Sequence, residues 1–112
     1  MLFDVRTYVC KPGTIKDHLA LYEKMGRVPQ AENLGEPFFY GFTETGLVNS
    51  YVHIWKYENA ADREQKRANM MADPRWIAYT EASRKAGYLE RQENALLTNV
   101  PFWNPNTKGT QE

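Results

Sequence analysis

The stretch Tyr51-Val52-His53-Ile54-Trp55-Lys56-Tyr57, followed at once by Glu58-Asn59-Ala60-Ala61-Asp62-Arg63, decides how this chain is read. Its first part alternates with the period of two that belongs to a β-strand. Asn49, Tyr51, His53, Trp55 and Tyr57 point one way; Val48, Val52 and Ile54 point the other. One face is plain aliphatic, and the other carries rings with polar tips. Asn59 then opens a helix, with Asp62 three residues on as an imperfect capping box.

Working outward, Leu2 to Val9 alternates in the same way, with Phe3, Val5 and Val9 on one face and Asp4, Arg6 and Tyr8 on the other. Lys11-Pro12-Gly13 breaks that strand. Thr14 with Asp17 predicts a capped helix carrying Ile15, Leu19, Tyr22 and Met25, which Gly26 should interrupt. The form of Pro29 to Gly35 is left open. Pro37 opens a strand over Phe38 to Glu44, and Thr45-Gly46-Leu47 is a turn of hairpin length. After the helix over Ala60–Ala72, Asp73-Pro74 restarts the chain as N-cap and first helical residue. Trp76, Tyr79, Ser83 and Ala86 should face inward, with Trp76 as plain core, and Gly87 should stop the helix. Residues 88–100 read as a fourth strand whose facing the pattern does not decide.

The order is β-α-β-β-α-β, which predicts an α+β, ferredoxin-like antiparallel sheet with helices on one face. The expected domain covers residues 1–103 and a tail covers 104–112. The face away from the helices should then expose Tyr8, Tyr51, Trp55 and Tyr57, with Tyr40 or Phe39, a bare patch larger than a monomer usually carries. A homodimer with sheets face to face would cover it, and is expected.

Asp4-x-Arg6-x-Tyr8, Lys11-Pro12-Gly13, Val52 to Tyr57, Ala61-Asp62-Arg63-Glu64 and Asp73-Pro74-x-Trp76 together resemble the NIPSNAP family. The resemblance spans roughly residues 2 to 102. It departs at Asp4, where the family commonly carries Glu, a longer carboxylate. It implies a dimeric α+β barrel but little chemistry. The mitochondrial and vesicle-related roles of eukaryotic members are not expected here, because residues 1–9 read as neither signal nor transit peptide. The fold superfamily includes cofactor-independent and haem-degrading monooxygenases and small lyases, an analogy of fold alone.

Composition narrows the rest. Fourteen basic and fourteen acidic side chains give zero formal net charge, so a nucleic-acid partner is not expected. No apolar run approaches the ~20 residues of a membrane span. The single Cys10 suits a reducing, cytoplasmic compartment. His18 and His53 are isolated and the glycines are scattered, so neither a metal nor a cofactor is expected.

The candidate site is the polar face. His53 is the candidate acid–base residue, with Tyr57 beside it, although such a histidine is more often structural than catalytic. Arg6 would either grip an anionic group or, the stronger reading, pair with an acidic neighbour, with Asp4 and Tyr8 on the same face. Tyr51, Trp55 and Tyr57 would stack an aromatic ligand or fill a dimer interior, filling being the first reading for Trp55. Arg63 and Arg67 read as a solvated or salt-bridged helix face. The first and third strands should be the central pair, bringing Arg6, Tyr8 and His53 to one pocket for a small anionic or aromatic molecule. A cofactor-free oxygenase or proton-transfer enzyme would use such a pocket. The alternative is a non-enzymatic interaction module whose sheet face is only a dimer core.

Overall fold

The computed structural model describes residues 1–105. Strand β1 (Leu2–Cys10) leads into α1 (Ile15–Leu21), a π-helical turn over Tyr22–Gly26 and α2 (Arg27–Leu34). Then follow β2 (Phe39–Phe42), β3 (Ser50–Tyr57), α3 (Ala60–Ala72), α4 (Pro74–Ala86) and β4 (Leu89–Thr98). The strands form one antiparallel sheet in the order β2-β3-β1-β4, so β1 and β3 are the central pair, as the ferredoxin-like reading requires. The register sets Asp4 opposite Trp55, Arg6 opposite His53 and Tyr8 opposite Tyr51.

Local chemistry accounts for most boundaries. The Asn59 side chain accepts from the backbone N–H of Asp62, and Asp62 accepts from that of Glu58. Asp73 accepts from the Arg75 N–H with Pro74 at the first turn, and Gly87, in the left-handed conformation, closes α4. The Thr14 cap does not form: its hydroxyl turns back to the Lys11 carbonyl at 2.7 Å instead. Nor does Gly26 end the helix. The chain passes through the π-turn and continues as regular α2, so the stretch from Pro29 is helical. Pro29 has no N–H for the preceding turn, and a widened turn ahead of it relieves that conflict. The bare Cα of Gly26 lets the buried Tyr22 and Tyr79 rings close against it.

The two faces of the sheet are the reverse of the expectation. Tyr51, His53, Trp55 and Tyr57 lie beneath the helices, buried within this single chain. Trp55 and Tyr57 pack with Leu34 of α2 and Met70 of α3. The aliphatic row is the one left bare: Val5, Val52 and Ile54 look away from the helices, flanked by Phe39 at 52% and Leu97 at 49% exposure. The bulky, polar-tipped rings fill the wide gap between sheet and helices, and each helix contributes few large apolar groups of its own. Phe3, Phe38 and Trp103 form a ring cluster at one end of that outer face, whereas Phe102 points into solvent. The expected inner row of α4 holds at Tyr79, which is buried, but Ala86 is exposed. Of the tail expected over 104–112, residues 106–112 lie outside the described residues.

Two outcomes test this packing. A Cβ on Gly26 would sit 2.9 Å from Tyr22 Cδ1 and 3.0 Å from Tyr79 Cδ2, both on buried rings. Gly26→Ala should therefore destabilise by roughly 1–3 kcal/mol of overpacking, despite the helix propensity alanine brings; chemical denaturation measures it, and a gain in stability refutes the packing. At Asp73, hydrogen bonds from Arg75 and Asn33 hold the carboxyl well below the usual range. Its contribution is present above the unfolded pKa of ~3.9 and is lost as pH falls further. Asp73→Ala should lower the denaturation midpoint at pH 7 and lower it less as the pH falls below that value. An effect independent of pH would show that the carboxylate is not the cap.

Candidate functional site

Asp4 anchors the helix-side face. Its carboxylate is fully buried and receives Arg6 Nη1 at 3.0 Å, Arg63 Nε at 3.1 Å and Asn94 Nδ2 at 3.1 Å. Burial alone would raise this carboxyl, but the hydrogen bond from Asn94 and the charges of Arg6 and Arg63 outweigh it and hold it below its ordinary value. One side chain thereby ties β1, β4 and α3 together. Arg6 is oriented from both ends, since its Nε donates to Tyr8 Oη at 2.8 Å.

Across the strand pair, His53 is enclosed by rings. Tyr40 stacks on it at 4.8 Å between centroids, and Tyr8 meets it edge-on at 4.7 Å. The Trp55 indole N–H donates to His53 Nδ1 at 2.7 Å, and His53 Nε2 is buried with no partner among the described residues. Burial, then the nearby Arg6, push the imidazole down to about 3, against a smaller opposing pull from Asp4. His53 is therefore neutral at physiological pH. His18 is a second buried imidazole, bonded through Nε2 to Tyr51 Oη at 2.7 Å.

These groups floor a cavity of about 310 Å³ between the sheet and the helices. Tyr22, Tyr51, His53, Met70 and Tyr79 form its buried interior, and exposed Met71, Thr80, Arg84 and Gln92 form its rim between α3, α4 and β4. Its charged lining is Arg6, Arg67 and Arg84, with no carboxylate. Arg6 and Arg84 are paired with Asp4 and Glu81, whereas Arg67 makes no ion pair among the described residues. Burial raises the phenol of Tyr79 to about 12 and those of Tyr22, Tyr40 and Tyr51 higher still, so all of them are neutral hydroxyls at pH 7. Such a lining favours a negatively charged occupant. No group of metal-ligating side chains occurs among the described residues.

Of the residues singled out from sequence, Arg6, Tyr8, Tyr51 and His53 meet at this cavity, while Asp4, Trp55 and Tyr57 do not line it. Asp4 and Trp55 stand one bond behind, holding Arg6 and His53. Tyr57 packs in the core with Leu34 and Met70, and burial raises its phenol. Arg63 is bound to a buried carboxylate, and its neighbour Arg67 lines the cavity, so that helix face is not simply solvated. Trp76 is half-buried and lines the cavity too, rather than being plain core. The sequence reading missed Tyr22, Gln30, Tyr40 and Tyr79 as lining groups. Tyr22 and Tyr79 lie at the inward helical positions the spacing gives them, whereas Gln30 follows the π-turn, in a stretch whose form the sequence leaves open.

An antiparallel ferredoxin-like sheet with a pocket under its helices defines the class, and comparison narrows it. The NIPSNAP family model matches residues 3–104, and the chain belongs to that family. It is 37% identical to a NIPSNAP family protein of unknown function from Agrobacterium tumefaciens, with a TM-score of 0.84 over 92% of this chain and 91% of that one. An uncharacterised NIPSNAP domain protein from Burkholderia xenovorans is 30% identical, with a TM-score of 0.85 over 93% of this chain and 99% of the other. Human NipSnap homolog 3A is 27% identical over 104 residues, which are 91% of this chain but 40% of the human protein. The chain thus spans about two-fifths of that relative. A putative antibiotic biosynthesis monooxygenase from Nitrosomonas europaea has a TM-score of 0.64 over 89% of this chain and 99% of its own, at 8% identity, a likeness of fold alone.

The burial of His53 has a pH consequence. Its folded value near 3 lies below the ~6.5 of an unfolded chain. Between those values only the unfolded state takes up the proton, so stability is full above pH ~6.5 and falls as pH falls. The slope should approach ~1.4 kcal/mol per pH unit for this group. Denaturation from pH 7 to 4 should show it, and His53→Gln should flatten the profile. An unchanged slope in that variant would mean that His53 is solvated.

Proposed function

We propose that this NIPSNAP protein is a homodimeric binding protein that receives a small organic anion, aromatic or bearing an apolar portion, in the pocket beneath its helices. The cavity carries this reading: about 310 Å³, floored by Arg6, Tyr8 and His53 and free of carboxylates in its lining. That volume is of the size small-molecule sites have. The alternative, an interaction module whose interior is only packing, is disfavoured by the same cavity. An enzymatic version, a cofactor-free oxygenase or proton-transfer catalyst, draws on the monooxygenase likeness, which is one of fold. Against His53 as its proton carrier stands the bond at Nδ1 from Trp55.

The dimer reading is supported by the other face of the sheet. Val5, Val52 and Ile54 with Phe39 and Leu97 make an apolar surface that a second copy would cover, with helices outward. Among the described residues no helix is long and apolar enough to cross a membrane. A reducing, cytoplasmic setting suits the buried free thiol of Cys10.

Two measurements test the reading. Sedimentation at micromolar concentration should give a dimer, and Ile54→Arg should convert it to a folded monomer; a monomeric wild type ends the dimer proposal. Native mass spectrometry of freshly purified protein should reveal a retained small molecule that Arg67→Ala loses. Wild-type protein free of any such molecule, together with no response to added carboxylates, ends the pocket proposal.

A further inference from the structure

We infer that His53 is a locked, neutral hydrogen-bond donor whose Nε2–H receives an oxyanion of the bound molecule, with Trp55 as the positioning residue that sets its tautomer. This rests on the pocket reading above and names the ligand class: an organic carboxylate or similar oxyanion, its apolar part lying among the tyrosines.

The geometry leaves one assignment of protons. Indole Nε1 is a donor only, so the atom it meets at 2.7 Å must offer a lone pair. That atom is His53 Nδ1, and a neutral imidazole with a bare Nδ1 carries its proton on Nε2. Protonating Nδ1 would set two donors against each other; Nε2 is already protonated. Both routes by which His53 would act as a base are therefore closed. What remains is an N–H at the floor of the cavity, buried, with no acceptor among the described residues. A donor so enclosed is costly to leave unpaired, and an acceptor brought by a ligand would satisfy it.

Its surroundings select which acceptor. Arg6 and Tyr8 face it from β1, Tyr40 from β2, Tyr51 and Trp55 from β3, and Arg67 and His18 bear on it from α3 and α1. The one carboxylate near it, Asp4, is already occupied by Arg6, Arg63 and Asn94. A negatively charged oxygen at Nε2 would thus be met by a neutral donor and by the Arg6 and Arg67 charges. A cation would find neither lone pair nor counter-charge. A neutral histidine also makes this affinity independent of pH across the range in which free imidazole titrates.

The experiment reads the ring nitrogens directly. Two-bond ¹H–¹⁵N spectra of wild-type protein labelled at histidine should show His53 as the Nε2–H tautomer, unchanged from pH 5 to 8. Acetate, benzoate and 2-naphthoate then serve as carboxylate probes and benzamide as the neutral control. At least one carboxylate should shift the Nε2 resonance, with the same dissociation constant at pH 5.5 and 8. His53→Phe should weaken that binding about tenfold or more, the loss expected of a hydrogen bond to a charged group. Trp55→Phe should leave Nδ1 without its donor, so that the Nδ1–H tautomer becomes populated and carboxylate binding weakens, which a merely structural tryptophan would not do. An Nδ1–H tautomer, or titration near 6.5 in wild type, overturns the inference without a variant and leaves the pocket reading intact. Binding of benzamide with no carboxylate effect at Nε2 overturns the inference too, and with it the anionic class of the occupant, while the pocket stands as a site. If no probe binds and no molecule is retained, the pocket reading falls and this inference with it.

Discussion

The buried carboxylate of Asp4 is the constraint on which the helix-side face depends. It has no exposure, and three donors from three elements converge on it. A buried charge is tolerable only when its oxygens are satisfied. Arg6 must therefore lie flat toward Asp4, Arg63 must bring the first turns of α3 down onto the sheet, and Asn94 must fix β4 alongside β1. The short aspartate side chain draws these partners close to the strand. The guanidinium of Arg6 is held in place as a result, and with it the positive floor of the cavity.

From that anchor the rest of the pocket follows as a ladder of rings. Tyr22 stacks on Tyr40 at 5.2 Å, and Tyr40 on His53 at 4.8 Å. Tyr22 opens the π-turn, and its hydroxyl bond to Gln30 of α2 steadies it in this row. π-turns inside helices often sit at functional sites, and here the turn supplies one wall of the cavity. The arrangement joins a rigid aromatic frame to a few fixed donors, the usual make-up of a small-molecule site. Family membership agrees with the fold and brings no chemistry, since the similar solved proteins are themselves described as uncharacterised or of unknown function.

The sheet has two faces with different tasks. Rings with polar tips cover the side toward the helices, where their hydroxyls and ring nitrogens find partners such as His18 for Tyr51 and Trp55 for His53. The other side is apolar around Phe3, Val5, Val52, Ile54 and Leu97, with Lys56 and the Arg91–Glu93 ion pair also on it. That division suits a flat, dry contact outside and a polar pocket within.

Much of this was legible in the sequence. Alternation in Tyr51–Tyr57 and Leu2–Val9 set two strands and sorted their side chains into rows, because a pleated strand has a period of two regardless of context. Asn59, Asp73-Pro74 and Gly87 marked helix ends, because capping is a local hydrogen bond or a local backbone angle. That the Arg6 and His53 rows share one side of the sheet followed from the element order, whereas the register that sets Arg6 opposite His53 did not. Which row faces the helices could not follow, because strand parity is symmetric between the two sides. Only the helices' own contributions, Leu34 and Met70 against Trp55 and Tyr57, break that symmetry. Tertiary structure likewise decided that Tyr57 is core, that Tyr22 and Arg67 belong to the cavity, and that His53 meets Trp55 through Nδ1. Those outcomes depend on the angle and depth at which α1 to α4 settle on the sheet, which is set by the packing of many side chains at once rather than by any one segment's pattern.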